Sequence, residues 1–257
     1  MFRNLPIKKK FFFAFGAVVV LLLALSATFY NNFSSIVNTN DWNIHSWRVV
    51  DKSRALTQSL VNMETGLRGY AINGKEEMLD PWKAGKEEFV KLLQETKGLT
   101  ADNPAQQQRL DNLLSQEQAW QDKFVAELLA HRRALNAGSL SQMEFNAAFE
   151  ANTGKPQMDQ MRKTIDEIVN GEKSLLGERQ NSVDAIETQT RLTLFIGALL
   201  GLGIASALGY VLARSITLPL AEAVKAAKAI AAGDLSTTLV ARSKDETGIL
   251  IATFTAM

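Results

Sequence analysis

Two uncharged apolar runs, a long charged stretch of helical periodicity between them, and a shorter helical stretch after the second predict an all-α membrane protein. The architecture expected is two transmembrane helices flanking an extracytoplasmic up-down-up-down four-helix bundle, followed by a cytoplasmic parallel coiled-coil segment. The run Leu192–Leu212 reads LTLFIGALLGLGIASALGYVL, twenty-one residues without a charge. That suffices to cross a hydrocarbon core of roughly 30 Å as a helix. The run from Phe11 to Tyr30 is preceded by Arg3, Lys8, Lys9 and Lys10, with no acid among the first ten residues. A cleaved signal peptide with Ala24-Leu25-Ser26 as its site is the competing reading. The apolar run passes that site into Thr28-Phe29-Tyr30, which favours an uncleaved anchor. No period-two stretch bounded by turn dipeptides marks a strand.

The 257 residues carry a net charge of +1 and no cysteine. Packing alone must therefore hold the fold, and no thiolate can bind a metal or attack a substrate. The only histidines, His45 and His131, lie far apart in the chain, so no metal site and no cofactor are expected. Residues 31–191 hold 19 basic and 23 acidic side chains, whereas Arg214, Lys225 and Lys228 follow the second span. The positive-inside rule then places both termini in the cytoplasm, with the intervening segment outside and the chain in the cell inner membrane. The division expected is a basic N-terminus (1–10), a first span (11–30), a helical sensor segment (31–190), a second span (191–213) and a cytoplasmic linker (214–257). Nucleic-acid binding has no support, because the only dense basic run abuts a span.

Residues 31–73 are expected to continue the first span as helix, with Ile44, Trp47, Val50, Arg54, Thr57, Val61 and Arg68 near one stripe and Asn73-Gly74 as the stop. A second helix is expected near Asp80-Pro81, with Asp80 as cap, ending at Lys97-Gly98. The third runs from Pro104 to Asn136, carrying Leu110, Leu113, Glu117, Trp120, Phe124, Leu128, His131 and Leu135 in steps of three and four. Gly138 ends it. Ser141 and Glu144 form a capping box opening a short helix. The last helix, with Met158, Met161, Ile165, Ile168 and Glu172 at similar spacing, has no proline from Gln157 to Arg191 and is expected to enter the second span unbroken. The segment leaves and re-enters one membrane face, so its long passes are even in number.

The stretch Glu64-Thr-Gly-Leu-Arg68-Gly-Tyr70, then Gly74 and Leu79-Asp-Pro81-Trp82, resembles the hallmark of the third CHASE family of extracellular sensor domains. Glu172-Lys-Ser-Leu175-Leu176-Gly-Glu-Arg179 is similar to that family's closing segment. The resemblance implies an outward-facing helical sensor. Arg54, Arg68, Tyr70 and Trp82 are the candidate ligand-binding residues, since a guanidinium holds a carboxylate in a two-pronged way. An internal pair, Glu64 with Arg68 or Glu172 or Glu178 from the last helix, is the plainer use of those arginines.

Within the second span Gly197, Gly201, Ala205 and Gly209 recur every four positions, a small-residue face suited to close helix contact in lipid. Beyond it Pro219 stands early in a helix whose Ile216, Leu220, Ala223, Ala227 and Ile230 step by four and three, and Gly233 ends it. Leu235 and Leu239 alternate along a connector. Asp245, Glu246 and Gly248 open another helix, with acids at its positive end, and Phe254 and Met257 continue its apolar face. This ordered set resembles a HAMP linker, which implies a parallel four-helix bundle of two chains and hence a homodimer. The chain stops inside that second helix, so it is expected to be a fragment or to lack its output module. The function expected is a non-enzymatic receptor that senses an extracytoplasmic stimulus, a small molecule or a protein. It relays a conformational change through the second span and the linker to cytoplasmic signalling proteins, most like a chemotaxis receptor. The alternative is the sensor part of a histidine kinase or cyclic-dinucleotide enzyme. Membrane lipid and a second copy of the chain are the other partners expected.

Overall fold

The computed structural model describes residues 4–233 and 243–255. The chain is all-α: α1 (Ile7–Asn73), α2 (Asp80–Leu99), α3 (Pro104–Trp120), α4 (Ala126–Asn136), α5 (Gln142–Ala151), α6 (Lys155–Leu212), α7 (Leu218–Ala231) and α8 (Glu246–Thr255). A 3₁₀ turn at Glu76–Leu79 leads into α2, and π-helical turns at Gln121–Val125 and Ala213–Thr217 follow α3 and α6. No strand occurs among the described residues. Arg3, the Leu235 and Leu239 connector, and Met257 lie outside them. Two compact units result, Val37–Val183 and a second made of Met1–Ile36 with Asp184–Met257.

Local chemistry sets the helix ends in the Val37–Val183 unit. Gly74 takes φ +70° and closes α1 by donating its amide to the Tyr70 carbonyl. Asn103 caps α3 by accepting from the Gln106 amide at 3.2 Å, and Pro104 fills the first turn, where a missing N–H costs nothing. The Ser141–Glu144 capping box forms in both directions. Asp80 departs from expectation. It is the first helical residue of α2 rather than its side-chain cap, because the preceding 3₁₀ turn supplies the entry, and its carboxylate accepts from Lys83 instead.

One core joins α1, α2, α3, α4, α5 and α6 in this unit. Of the stripe expected on α1 only Val50 is buried in it. Ile44, Trp47 and Val61 are exposed, whereas Ser46, Val49, Ser53, Leu56, Leu60, Met63, Leu67 and Tyr70 are buried. Those positions alternate by three and four, so the periodicity is that expected but its phase is rotated. Serines stand on the buried face and tryptophan outside it. The hydroxyls are satisfied: Ser53 donates to the Val49 carbonyl at 2.8 Å, Ser59 donates to the Leu56 carbonyl at 2.7 Å, and Ser46 accepts from Arg179 on α6 at 2.8 Å. The core is therefore graded. Around Leu60, Leu67, Tyr70, Phe89 and Trp120 it is aromatic and aliphatic, and around Ser46, Ser53, Thr96, Thr100 and Gln106 it is lined by small hydroxyls and an amide.

The expected third helix is α3 and α4 joined by a π turn. Its apolar positions show why. Leu113, Glu117, Trp120, Phe124 and Leu128 are all buried, and two successive steps of four follow Trp120 where a regular coil would take a three. The wide turn absorbs the extra residue and keeps Trp120 and Phe124 on the core side, with ring centroids 5.8 Å apart.

In the other unit the first halves of α1 and the last of α6 pack together. Leu25 closes on Gly197, where a Cβ would come within 2.5 Å of its methyl group, and Leu21 lies 3.5 Å from the equivalent point on Gly201. Asn32 donates to the Thr190 hydroxyl at 2.7 Å. Apart from such contacts both apolar runs are exposed, as lipid-facing helices are.

Two substitutions test the packing. Leu60→Ala in the full chain should lower stability by about 2–5 kcal/mol, whereas Val61→Ala beside it should change it by less than about 0.5 kcal/mol. Detergent-solubilised protein unfolded by heat and followed by circular dichroism reads both, and equal effects would return the core to the expected stripe. Gly154 takes φ +65°, and a Cβ there would lie 2.5 Å from the Phe124 ring. Gly154→Ala should cost more than Gly138→Ala, whose φ is +75° but whose surroundings are open, because only the first adds a clash to about 1–3 kcal/mol of backbone strain.

Candidate sensor site and relay elements

The residues of the Glu64–Trp82 motif serve as joints between helices. Glu64 on α1 accepts from Arg68 one turn on, at 2.7 Å, and from Arg162 on α6 at 2.5 Å. Gly66 lets α2 approach so closely that a Cβ there would come within 2.6 Å of the Trp82 amide nitrogen, and Gly85 on α2 is equally tight against the Ser59 carbonyl. The Tyr70 phenol donates to Glu76 at 3.1 Å, and Arg133 on α4 donates to the same oxygen at 3.2 Å. Asn136 donates to the Gly74 carbonyl at 2.8 Å. The Arg133 hydrogen bond holds the Glu76 carboxyl below its ordinary range, while burial and then the bond to Glu76 raise the Tyr70 phenol.

The four candidate ligand residues do not converge. Arg54 is exposed and pairs with Asp51, three residues back on its own helix. Arg68 lies fourteen positions along α1, about 21 Å at 1.5 Å per residue. No small ligand spans that distance. Neither arginine sits on the buried face, so neither needs a cross-bundle acid. Glu172 is instead bonded to Gln106, whose amide also donates to the Ile168 carbonyl at 3.0 Å, and Arg109 donates to the Gln106 oxygen. Tyr70 is in the core, and Trp82 is half-buried with Lys86 over its ring. Arg68 and Glu64 border a small cavity with Trp120, Phe124, Gly154 and Met158, about 20 Å³, the room of one water molecule. Trp120 is buried there and its indole N–H has no partner. Of these features, only the extra step of four after Trp120 was visible in the sequence.

Glu117 is, like Glu172, an acid buried in the core against an amide, accepting from Gln121 in the π turn at 2.7 Å. Burial pushes its carboxyl above the ordinary 4.5, a rise only partly offset by Gln121. The folded state then binds a proton that the unfolded chain has released, so this group's contribution is favourable below 4.5 and is lost as pH rises through the raised value. Glu117→Gln should remove that slope and raise stability at neutral pH. Unfolding midpoints of both proteins across pH 4 to 8 check it, and an unchanged slope would assign the proton elsewhere.

The candidate relay residues lie in the other unit. The small-residue face is used in part: Gly197 and Gly201 meet α1, but Gly209 has nothing near it and Ala205 is exposed. The half-buried positions instead pass through Ile204, Leu208 and Leu212. Steps of four overshoot a 3.6-residue turn by about 40° each, so a strict every-fourth face drifts off a helix contact that alternates three and four. Pro219 enters α7 at its first turn, directly after the π turn, as a residue without an amide hydrogen requires. Ala223 and Ala226 are the buried residues of α7, whereas Leu220 and Val224 are exposed. Gly233, at φ +85°, follows the helix end.

Asp245 caps α8. One oxygen accepts from the Thr247 and Gly248 amides at 3.2 and 3.1 Å and from the Ser243 and Thr247 hydroxyls at 2.6 Å, and the other accepts from Lys10. Burial alone would raise this carboxyl. Donation from Lys10, Ser243, Thr247 and Gly248 outweighs it and holds the group far below the ordinary carboxylate range. Glu246 accepts from the Ile7 amide at 2.8 Å. A Cβ on Gly248 would lie 1.8 Å from the Ser243 carbonyl oxygen, so no other residue fits.

The CHASE3 domain family matches residues 39–182, more than half of the chain, and the HAMP domain family matches 211–257. The chain belongs to the CHASE3 domain family. With a HAMP domain behind the sensor and two helices apolar enough to cross a bilayer, this CHASE3 protein is a transmembrane signal-transducing sensor. No curated protein matches its sequence. The motif that resembled a CHASE sensor thus falls on the joints of the CHASE3 domain, and Asp245, Glu246 and Gly248 fall in the HAMP domain.

In the relay, Gly197→Ile should separate the membrane helices, because its side chain would enter the space of Leu25. Gly209→Ile should leave them packed. The rate of disulfide formation between Leu21→Cys and Gly201→Cys reads the contact, and equal rates in both backgrounds would remove Gly197 from it.

Proposed function

We propose that the CHASE3 protein is a homodimeric receptor, without catalytic activity of its own, whose outward four-helix sensor sets the state of a HAMP coiled coil for chemotaxis signalling. The observation that carries this reading is covalent. Helix α6 begins inside the CHASE3 domain at Lys155 and runs unbroken to Leu212, inside the HAMP match. A stimulus that favours one packing of the sensor helices has one continuous helix on which to act. Its differential affinity for the two packings is the only source of the shift, about 1.4 kcal/mol for a tenfold preference.

Membrane orientation follows from two supports. The basic flank before the first span favours the cytoplasm. The pairing of Lys10 with Asp245 supports a common membrane face for the two flanks of the spans. Insertion in the inner membrane with both termini in the cytoplasm satisfies both. The dimer is supported by the apolar residues that one chain leaves uncovered, Leu220 and Val224 on α7 and Ile44 and Trp47 on α1. A parallel coil of two chains gives the α7 pair a partner. The stimulus is a small molecule or protein, and the output passes to cytoplasmic signalling proteins. A histidine kinase or cyclic-dinucleotide enzyme is the second reading, since sensor and HAMP elements serve those outputs equally.

Membranes carrying the full-length gene product decide between them. The receptor reading expects no transfer of label from γ-labelled ATP to the protein and no cyclic dinucleotide from nucleoside triphosphates. Either product assigns the second reading. A cysteine at Ser139 should react with an impermeant maleimide added to intact cells, and one at Lys244 should not. The reverse pattern would invert the orientation.

A further inference from the structure

The basic stub before the first span has two plain uses, to orient the chain and to meet lipid phosphates, and exposed lysines serve both. Lys8 and Lys9 are exposed. Lys10 is not: its side chain and that of Asp245 are both fully removed from solvent, and the two are paired. A lysine kept for orientation has no need of burial, and burial of a charge is tolerated only against a well-placed partner. Two further contacts join the same segments. Glu246 accepts from the Ile7 amide, one of the unbonded donors in the first turn of α1, and Asn4 accepts from the Lys244 amide at 3.4 Å. Three consecutive residues, Lys244, Asp245 and Glu246, thus hold Asn4, Lys10 and Ile7 at the base of α1.

The carboxylate of Asp245 is divided between two tasks. One oxygen caps its own helix and the other takes Lys10. Lys10 also lies four residues before Ala14, a buried residue on the α1 face that continues through Val18, Leu21 and Leu25 toward α6. A turn of α1 that changes its packing on α6 therefore moves the ammonium that holds the start of α8.

The geometry points to Lys10 as a positioning residue that couples the first membrane helix directly to the second HAMP helix, so that α8 takes its setting from α1 as well as from α7. The inference rests on the transmembrane reading of the spans. It gives the first span a part in the output that does not pass along α6.

The chain has no cysteine, so introduced pairs report without background. Asn4→Cys with Lys244→Cys, in the full chain in native membranes, should form a disulfide readily. Adding Lys10→Glu should slow it by at least about tenfold, the orphaned Asp245 carboxylate being repelled. Lys10→Arg should restore the rate, and Lys9→Glu, of equal charge change at an exposed site, should leave it unaltered. The Leu21→Cys and Gly201→Cys pair, run in parallel, should cross-link at the same rate in every background. An undiminished rate with Lys10→Glu, or an equal loss with Lys9→Glu, overturns the proposal. Loss at the Leu21 and Gly201 pair as well assigns the effect to a failed membrane hairpin and overturns it too.

Discussion

A stripe spaced three and four along α1 is the constraint on which the remaining structure depends. Ala14, Val18, Leu21, Leu25, Thr28 and Asn32 are its half-buried or buried members in the membrane unit, and Ser46, Val49, Ser53, Leu56, Leu60, Met63, Leu67 and Tyr70 continue the spacing in the sensor. Within each unit, a contact that alternates in this way stays on one side of the helix over several turns. Every other long helix of the sensor contributes to the core that this stripe enters. In hydrocarbon the backbone leaves no alternative, since amide groups without water must bond within the helix.

Much of this was legible. Apolar runs, proline and glycine punctuation and the Ser141–Glu144 box marked the helices, because each is a local matter of steric fit or of an orphan amide. The phase of the α1 stripe was not legible. Its buried members include Ser46, which accepts from Arg179 on α6, and Ser53, which bonds its own helix, whereas Trp47 and Val61 are exposed. Hydropathy ranks those residues in the wrong order. A serine that satisfies itself on the preceding turn is small and nearly neutral, and it packs as such. The arginines followed from the same error of phase: on the exposed face Arg54 and Arg68 need only the neighbouring acids Asp51 and Glu64.

The site was legible as a motif and not as a mechanism. Glu64, Gly66, Tyr70 and Gly74 are spaced along one helix, but their partners Arg162, Trp82, Glu76 and Asn136 come from α6, α2, the 3₁₀ turn and α4. Nothing in the spacing of one helix names its neighbours. The HAMP motif behaves similarly. Asp245 and Glu246 at a helix start read as acids on the positive end of a dipole, which is half of what they do. Their other contacts, to Lys10 and the Ile7 amide, join positions more than two hundred residues apart.

The graded core has a consequence for where the sensor yields. Packing energy scales with the apolar surface removed from water, so the layers of Leu60, Tyr70, Phe89 and Trp120 hold firmly. The layers of Ser46, Ser53, Thr96 and Gln106 bury aliphatic neighbours such as Val49 and Ile168 but no aromatic ring among these residues, so rearranging them costs less. Those softer layers meet α6 around Ile168 and Glu172, on the side from which that helix runs on to the second span. Within the domain the cheaper rearrangement thus lies where α6 carries Glu172, and the costlier one where it carries Met158 and Met161.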